Sequence, residues 1–459
     1  MIQFPKDFKW GTSTSAYQIE GAWRKDGKGP SVWDAFCLIP GKIANNETAE
    51  IACDHYHRFR EDVQLMKEMG LQVYRFSISW ARVMPGGRGE VNETGLQFYS
   101  DLIDELIANG IEPWITLNHF DLPLALEQEL DGWLNQEVSE YFGEYARLCF
   151  KSFGDRVKHW ITFNEAWVVA MLSYGKGMFA PGRASKKEAY LAGHNILLAH
   201  AKAYQIYNQE FRPHQKGQIG ITNNCDWREP LSSEKADIDA AQRALEFYFG
   251  WLTDPLFFGE YPLSMQTRLK GIIPEFSARE KEMLRNSVDF IGLNHYNTHY
   301  AADARGNLED PFPGASLAFP EDQDVNLSVN PQWELTEMNW PVVPEGLYKL
   351  LKWIDNRYER PVIYITENGA AFDDQLMDGR VDDQKRVDYL KGYITACHQA
   401  MQEGVNVKGY FVWSFLDNFE WAHGYSKRFG LHYVDFDTLQ RIPKKSAFFL
   451  KKIMNDNGL

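Results

Sequence analysis

The 459-residue sequence predicts an α/β chain closed into a single (β/α)8 TIM barrel with extended strand-to-helix loops. Three observations lead there. Short apolar runs of strand length recur along the whole chain. They alternate with stretches whose apolar spacing suits a helix. Polar and aromatic residues gather where the runs stop, as they must if all strand ends open on one mouth.

In chain order the runs are 9–13, 73–79, 113–118, 159–163, 218–222, 289–293, 361–366 and 407–413. Helical spacing fills 55–69, 94–109, 137–152, 187–210, 345–358 and 383–403, and Gly110 and Gly404 follow two of these as stop signals. Eight strand–helix units favour a closed barrel over an open sheet. The nearest alternative, a doubly wound sheet with a dinucleotide site and an oxidoreductase function, lacks a GxGxxG fingerprint and a GxxxxGK[ST] phosphate loop. Residues 303–344, rich in Asp, Pro, Asn and Gly, read as a long insertion before the seventh strand. No linker-like or low-complexity stretch interrupts the chain, so residues 1–459 are expected to form one catalytic domain.

Apolar residues make up 44% of the chain, enough for a sizeable core, so disorder is not a serious reading. A net charge of −15 repels phosphate backbones and anionic lipid, so neither nucleic acid nor a membrane is an expected partner. Cys37, Cys53, Cys149, Cys225 and Cys397 are odd in number and scattered, which fits free thiols in a reducing compartment. With no apolar signal region at the amino terminus and no run long enough to span a bilayer, a cytoplasmic location is expected. The Asn-x-Ser/Thr patterns at Asn46, Asn92 and Asn326 are then incidental. His55 and His57 lack a matching carboxylate cluster, so no metal and no cofactor are expected.

Two strand ends carry the chemistry. His159-Trp160-Ile161-Thr162-Phe163 leads into Asn164 and Glu165, and Val362-Ile363-Tyr364-Ile365-Thr366 leads into Glu367. Two glutamates facing each other across a pocket are what glycosidic cleavage requires: one protonates the leaving oxygen, the other attacks or stabilises the anomeric carbon. Other strand ends supply Gln18, Arg75, His119, Asn294, Tyr296, Trp413, Glu420 and Trp421. Singly each has a bland reading: His119 as a core histidine, Arg75 as the partner of a buried carboxylate, Trp413 and Trp421 as packing. Recurrence at one end of successive strands favours function.

With these residues in view, the chain resembles glycoside hydrolase family 1, the β-glucosidase family. The likeness runs from Phe8-Lys9-Trp10-Gly11 to Arg428-Phe429-Gly430 and Pro443-Lys444-Lys445-Ser446. The resemblance implies a retaining β-glucosidase with Glu367 as nucleophile and Glu165 as acid/base. It places Gln18, His119, Asn164, Asn294, Tyr296, Trp413, Glu420, Trp421 and Phe429 around the sugar. Arg75 and Tyr296 support the nucleophile, and Trp167 and Trp340 offer a platform for the aglycone. Expected partners are β-glucosides and short oligosaccharides such as cellobiose, with β-galactosidase, β-fucosidase and transglycosylation side activities. Self-association into a homo-oligomer is left open. Ala166 stands where the family usually has proline, which frees the backbone after Glu165 and adds an N–H. The rival reading is a catalytically silent sugar-binding barrel.

Overall fold

The computed structural model describes residues 2–308 and 318–459. Eight parallel strands close into a barrel: β1 Lys9–Ser13, β2 Val73–Ser77, β3 Glu112–Asn118, β4 His159–Asn164, β5 Gln218–Asn224, β6 Ile291–Asn294, β7 Ile363–Asn368 and β8 Val407–Trp413. Each neighbours the next in sequence order, and β1 closes on β8 in the register Lys9 with Gly409 to Ser13 with Trp413. Helices cover the outside, among them His55–Met69, Glu93–Ala108, Glu137–Phe153, Lys186–Ile206, Pro344–Arg357 and Gln384–Gln402. The strands are apolar on both faces because helices bury one face and the barrel interior the other.

The expected runs all lie on these strands, with small differences at the ends. β4, β5 and β7 extend to Asn164, Asn224 and Asn368, whereas β2 stops at Ser77. The expected insertion at 303–344 is partly ordered into sheet. Trp227–Pro230, Thr298–Asp303 and Val325–Ser328 form a separate three-stranded sheet, with Tyr300 stacked on Trp333 at 4.9 Å. Residues 309–317 of that insertion lie outside the described residues.

The barrel interior is graded along its axis. At the amino-terminal end Val73, Trp114, Ile161, Phe290, Tyr364 and Phe411 form an apolar plug. One inward position further along, the same strands present Arg75 and Thr116, and Thr366 follows Tyr364 on β7. The fold thus places the buried Arg75 where the barrel opens, with the plug closing the barrel beneath it.

The plug is framed by Glu112, which accepts from Lys9 Nζ at 2.7 Å and from Trp114 Nε1 at 3.0 Å and lies 2.8 Å from His159 Nδ1. Burial alone would raise this carboxyl, but the bonds from His159 and Lys9 outweigh it and hold Glu112 down at about 2. A depressed carboxylate stabilises the fold above its unfolded value, roughly 4.3, and loses that contribution as pH falls through its folded value. Glu112→Gln is therefore expected to cost about 1 kcal/mol at neutral pH. The deficit should shrink as the medium is acidified through that window. Thermal denaturation of both proteins from neutral pH down to pH 3 checks it; a pH-independent deficit would assign the loss to packing.

Among the described residues, no helix is long and apolar enough to cross a membrane. All five cysteines are free and buried. His55 and His57 are engaged by Asp62 and Asp54, at 2.7 and 2.5 Å.

Candidate active site

Both glutamates follow a break in strand register. The β4–β5 pairing shifts between Ile161 and Asn164, and the β7 pairings shift just after Ile365. Such irregularities re-aim side chains at the rims of barrels. Here they turn Thr366 and Glu367, neighbours in sequence, toward the same interior: Thr366 Oγ1 donates to Asn294 Oδ1 at 2.8 Å, while Glu367 meets Arg75.

Arg75 is the hub. Fully buried, it donates to Glu367 Oε1 at 2.6 Å, Asn164 Oδ1 at 2.7 Å, Thr116 Oγ1 at 3.1 Å and the Thr366 carbonyl at 3.3 Å. Tyr296 donates to the other oxygen of Glu367 at 2.6 Å. Asn294 Nδ2 donates to Glu165 Oε1 at 2.7 Å and to Asn164 Oδ1 at 3.0 Å. A continuous chain of hydrogen bonds therefore joins the two carboxyls through Arg75, Asn164 and Asn294.

Glu165 itself is half-buried and left-handed, at φ 50° and ψ 60°. Its N–H donates to the Thr222 carbonyl at 2.8 Å, and its own carbonyl accepts from Val168 at 2.9 Å. The freedom expected from Ala166 is thus removed by contacts on either side of the residue. A non-glycine residue held at positive φ costs energy that only a well-determined surrounding can sustain.

The two carboxyls are electrostatically unequal. Burial raises both. At Glu367 the Arg75 charge and the bonds from Tyr296 and Arg75 oppose the rise. At Glu165 the Glu367 charge adds to burial, against one bond from Asn294 and the more weakly felt Arg75 charge, and the carboxyl stands well above its ordinary value. Arg75 opposes the rise at Glu367 through its charge and a direct bond but reaches Glu165 by charge alone, while desolvation lifts the pair together. Glu420 is pushed up to about 8 by burial and the Glu367 charge, against a bond from Trp413. The protonated form that this rise favours can both donate and accept.

The other candidates divide by what they have left to offer. His119 is neutral because burial and the Arg75 charge drive it far below its usual value. Its Nε2 accepts from Asn164 Nδ2 at 3.1 Å, so the proton sits on Nδ1, which has no partner among the described residues. Glu420 Oε2 is likewise unpartnered. Gln18, by contrast, commits both amide hydrogens, to Asn418 Oδ1 at 3.1 Å and the Phe419 carbonyl at 2.9 Å, and its oxygen accepts from Ser15 at 2.7 Å. It holds the Glu420 loop and keeps one acceptor lone pair. Trp421 backs the site, stacked on Tyr17 at 6.1 Å and near-parallel to His119 at 6.0 Å. Trp413 is also near-parallel to His119, at 5.8 Å.

A family model described as Glycosyl hydrolase family 1 matches residues 1–459. The chain belongs to glycosyl hydrolase family 1. Beta-glucosidase 44 of Arabidopsis thaliana is 45% identical over 99% of this chain and 91% of its own length. Beta-glucosidase A of Thermotoga maritima is 44% identical over 100% of this chain and 99% of its own. Among solved structures, a family 1 β-glucosidase from Thermotoga maritima superposes with a TM-score of 0.92 at 43% identity, covering 100% of this chain and 99% of that one. A rice β-glucosidase mutant in a covalent complex with Glc superposes at 0.93 and 41% identity, covering 98% of this chain and 99% of its own. The chain is accordingly an enzyme, a glycoside hydrolase of β-glucosidase type.

Around this family 1 site the two aromatic candidates for the aglycone belong to different clusters. Trp340 is half-buried against Tyr296, at 5.2 Å, and Phe429, at 6.0 Å. Trp167 is 4% exposed, meets Tyr248 edge-on at 4.4 Å, and lines a cavity of about 40 Å³ with Asp226 and Arg228. Sequence reasoning passed over this fifth strand end. The run Asn223-Asn224-Cys225-Asp226 at the end of β5 was the available signal: Asn224 Nδ2 donates to Tyr248 OH at 2.9 Å, and Asp226 adds to the negative field at Glu165.

Proposed function

We propose that this family 1 chain is a single catalytic domain that hydrolyses terminal, non-reducing β-D-glucosyl residues by double displacement. Glu367 attacks the anomeric carbon while Glu165 gives its proton to the departing oxygen, leaving a covalent glycosyl-enzyme. Glu165, now ionised, takes a proton from water, whose oxygen displaces Glu367 and releases the sugar. The observation that carries the reading is the inequality of the two carboxyls. One holds a cation and a phenol as donors; the other holds a single amide and faces its partner's charge.

The cycle follows from that inequality. While Glu367 is ionised, its charge keeps the proton on Glu165. Once Glu367 is esterified the charge is gone, and Glu165 becomes acidic enough to serve as base. His119 Nδ1, Glu420 and the remaining lone pair of Gln18 supply directional contacts to hydroxyls, with Trp413 as the flat face beneath the ring. Asn164 and Asn294 act by aiming Glu165 and Arg75. Trp340 and Trp167 receive the aglycone. A 6-phosphate would bring its charges into the field of Glu367 and replace the hydroxyl offered to Glu420, so unphosphorylated glucosides and cellobiose are the proposed substrates.

β-Galactosides and β-fucosides are the proposed secondary substrates, with transglycosylation when a sugar hydroxyl outcompetes water. The Thermotoga maritima enzyme has been solved with glucoimidazole and with galacto-hydroximolactam, which supports tolerance of both epimers. The deciding experiment follows p-nitrophenyl β-D-glucoside by proton NMR before mutarotation. β-Glucose is expected first; early α-glucose would replace double displacement by a single inverting step.

A further inference from the structure

The loop bearing Glu420 and Trp421 leaves the barrel after Trp413 and returns at Phe429. Its ends are zipped together. Ser414 N–H donates to the Phe429 carbonyl at 3.2 Å, Leu431 to Ser414 at 2.8 Å, His432 to Phe415 at 3.0 Å and Asp417 to His432 at 2.9 Å. Asp417 closes the neck. Its Oδ1 accepts from Gly430 N–H at 2.9 Å and Lys444 Nζ at 2.6 Å, and its Oδ2 accepts from Arg428 at 2.7 Å. The approach is so close that a Cβ on Gly430 would lie 2.0 Å from Asp417 N.

Lys444 extends this lock to the strand that carries Glu367. Its Nζ also lies 2.5 Å from Asp374 Oδ2, in the segment following β7. Arg386 grips Asp374 through two nitrogens, at 3.2 and 2.8 Å, contacts Asp383, and donates to the carbonyls of Ala370 at 3.1 Å and Arg428 at 2.8 Å. Lys444, Arg386, Asp383 and Asp417 side chains are wholly buried. Three cations balance three carboxylates. A buried ionic cluster of this kind contributes little net stability compared with apolar packing of the same volume, but it admits only one arrangement. Arg428, Gly430 and Pro443 to Ser446 also carry the family likeness without having any part in the chemistry above.

We propose that Lys444 is a positioning residue for the glycone pocket: through Asp417 and Asp374 it sets the Glu420 loop and Phe429 in a fixed relation to Glu367. The inference rests on the proposed function, in which Glu420 contacts the sugar's hydroxyl at the 6-position. Lys444→Met combined with Asp374→Asn removes one cation and one anion, so the remaining cluster stays neutral while the tether is cut.

The measurement is kcat and KM on p-nitrophenyl β-D-glucoside and on the β-D-xyloside, which lacks the 6-hydroxymethyl group. Loss of folded protein would scale both substrates equally and leave KM unchanged. Displacement of Glu420 instead raises KM for the glucoside and lowers the glucoside-to-xyloside ratio of kcat/KM, by about tenfold. Lys444→Arg, which keeps the charge with a different reach, should shift the ratio in the same direction and decides the matter if the double variant does not fold. An unchanged ratio with a lowered melting temperature overturns the proposal. Glu420→Gln separates the two readings. If it lowers the ratio and the Lys444 variants do not, the tether alone is wrong; if it too leaves the ratio unchanged, the glycone assignment fails and the tether with it.

Discussion

Glu367→Gly is expected to lower turnover of p-nitrophenyl β-D-glucoside by a factor on the order of 10⁶, the scale of deleting a covalent nucleophile. Azide should restore turnover and yield α-glucosyl azide. The small anion enters the space left by the carboxylate and attacks from the same face, but nothing then displaces it, so one inversion remains. Arg75 and Tyr296, left without Glu367 as their acceptor, provide donors for that anion. The variant also removes a charge that helps hold the Glu165 and Glu420 protons in place. An acid must be protonated to act, so activity is lost as pH rises through its pKa. The alkaline limb of the azide reaction should therefore lie at lower pH than that of the native enzyme. Product stereochemistry by NMR and a pH–rate profile test both parts. A β-azide product would exchange the roles of the two glutamates.

The barrel and much of this site were legible in the sequence because each depends on local pattern. Apolar runs of strand length at 9–13 and 407–413 match β1 and β8 residue for residue, since neither run is interrupted before the mouth of the barrel. The Asn-Glu pairs at 164–165 and 367–368, reversed in order, announce polar strand ends. What pattern could not convey was how the side chains turn. The register shifts near Glu165 and Glu367 leave no mark in the residue types, yet they decide that Thr366 and Glu367 point the same way. Partner choice over long range was equally hidden. The sequence does not show that the Gln18 amide hydrogens are held by Asn418 and Phe419, some 400 residues away, so that its oxygen is what remains to offer a sugar. Desolvation is a property of the assembled pocket, so the rise of Glu367 despite Arg75 could not be anticipated from their proximity alone. The three-stranded sheet escaped notice because its strands are short and its composition is that of a loop.

Glu165→Ala separates the two steps of the reaction, and its effect should depend on the leaving group. Cellobiose, whose departing sugar needs a proton, is expected to lose about 10²–10⁴ in kcat/KM. A 2,4-dinitrophenyl glucoside departs unaided, so its first step should be nearly unchanged. Its second step loses the base that activates water. The glycosyl-enzyme then accumulates, which predicts a burst of dinitrophenol, a lowered KM and a protein mass increased by one glucosyl unit. Azide attacks that intermediate from the face Glu165 used to guard and gives the β-azide. Because alanine at position 165 meets the same left-handed backbone demand as glutamate, and the Thr222 and Val168 contacts are made by main-chain atoms, the fold should be unaffected. The alkaline limb of the pH profile on cellobiose should vanish from the residual activity, since the group that had to stay protonated is gone. Equal losses on both substrates, with no burst, would mean that Glu165 holds the pocket together and that the proton comes from elsewhere. Glu420, raised by burial and by the field of Glu367, would then be the next carboxyl to replace.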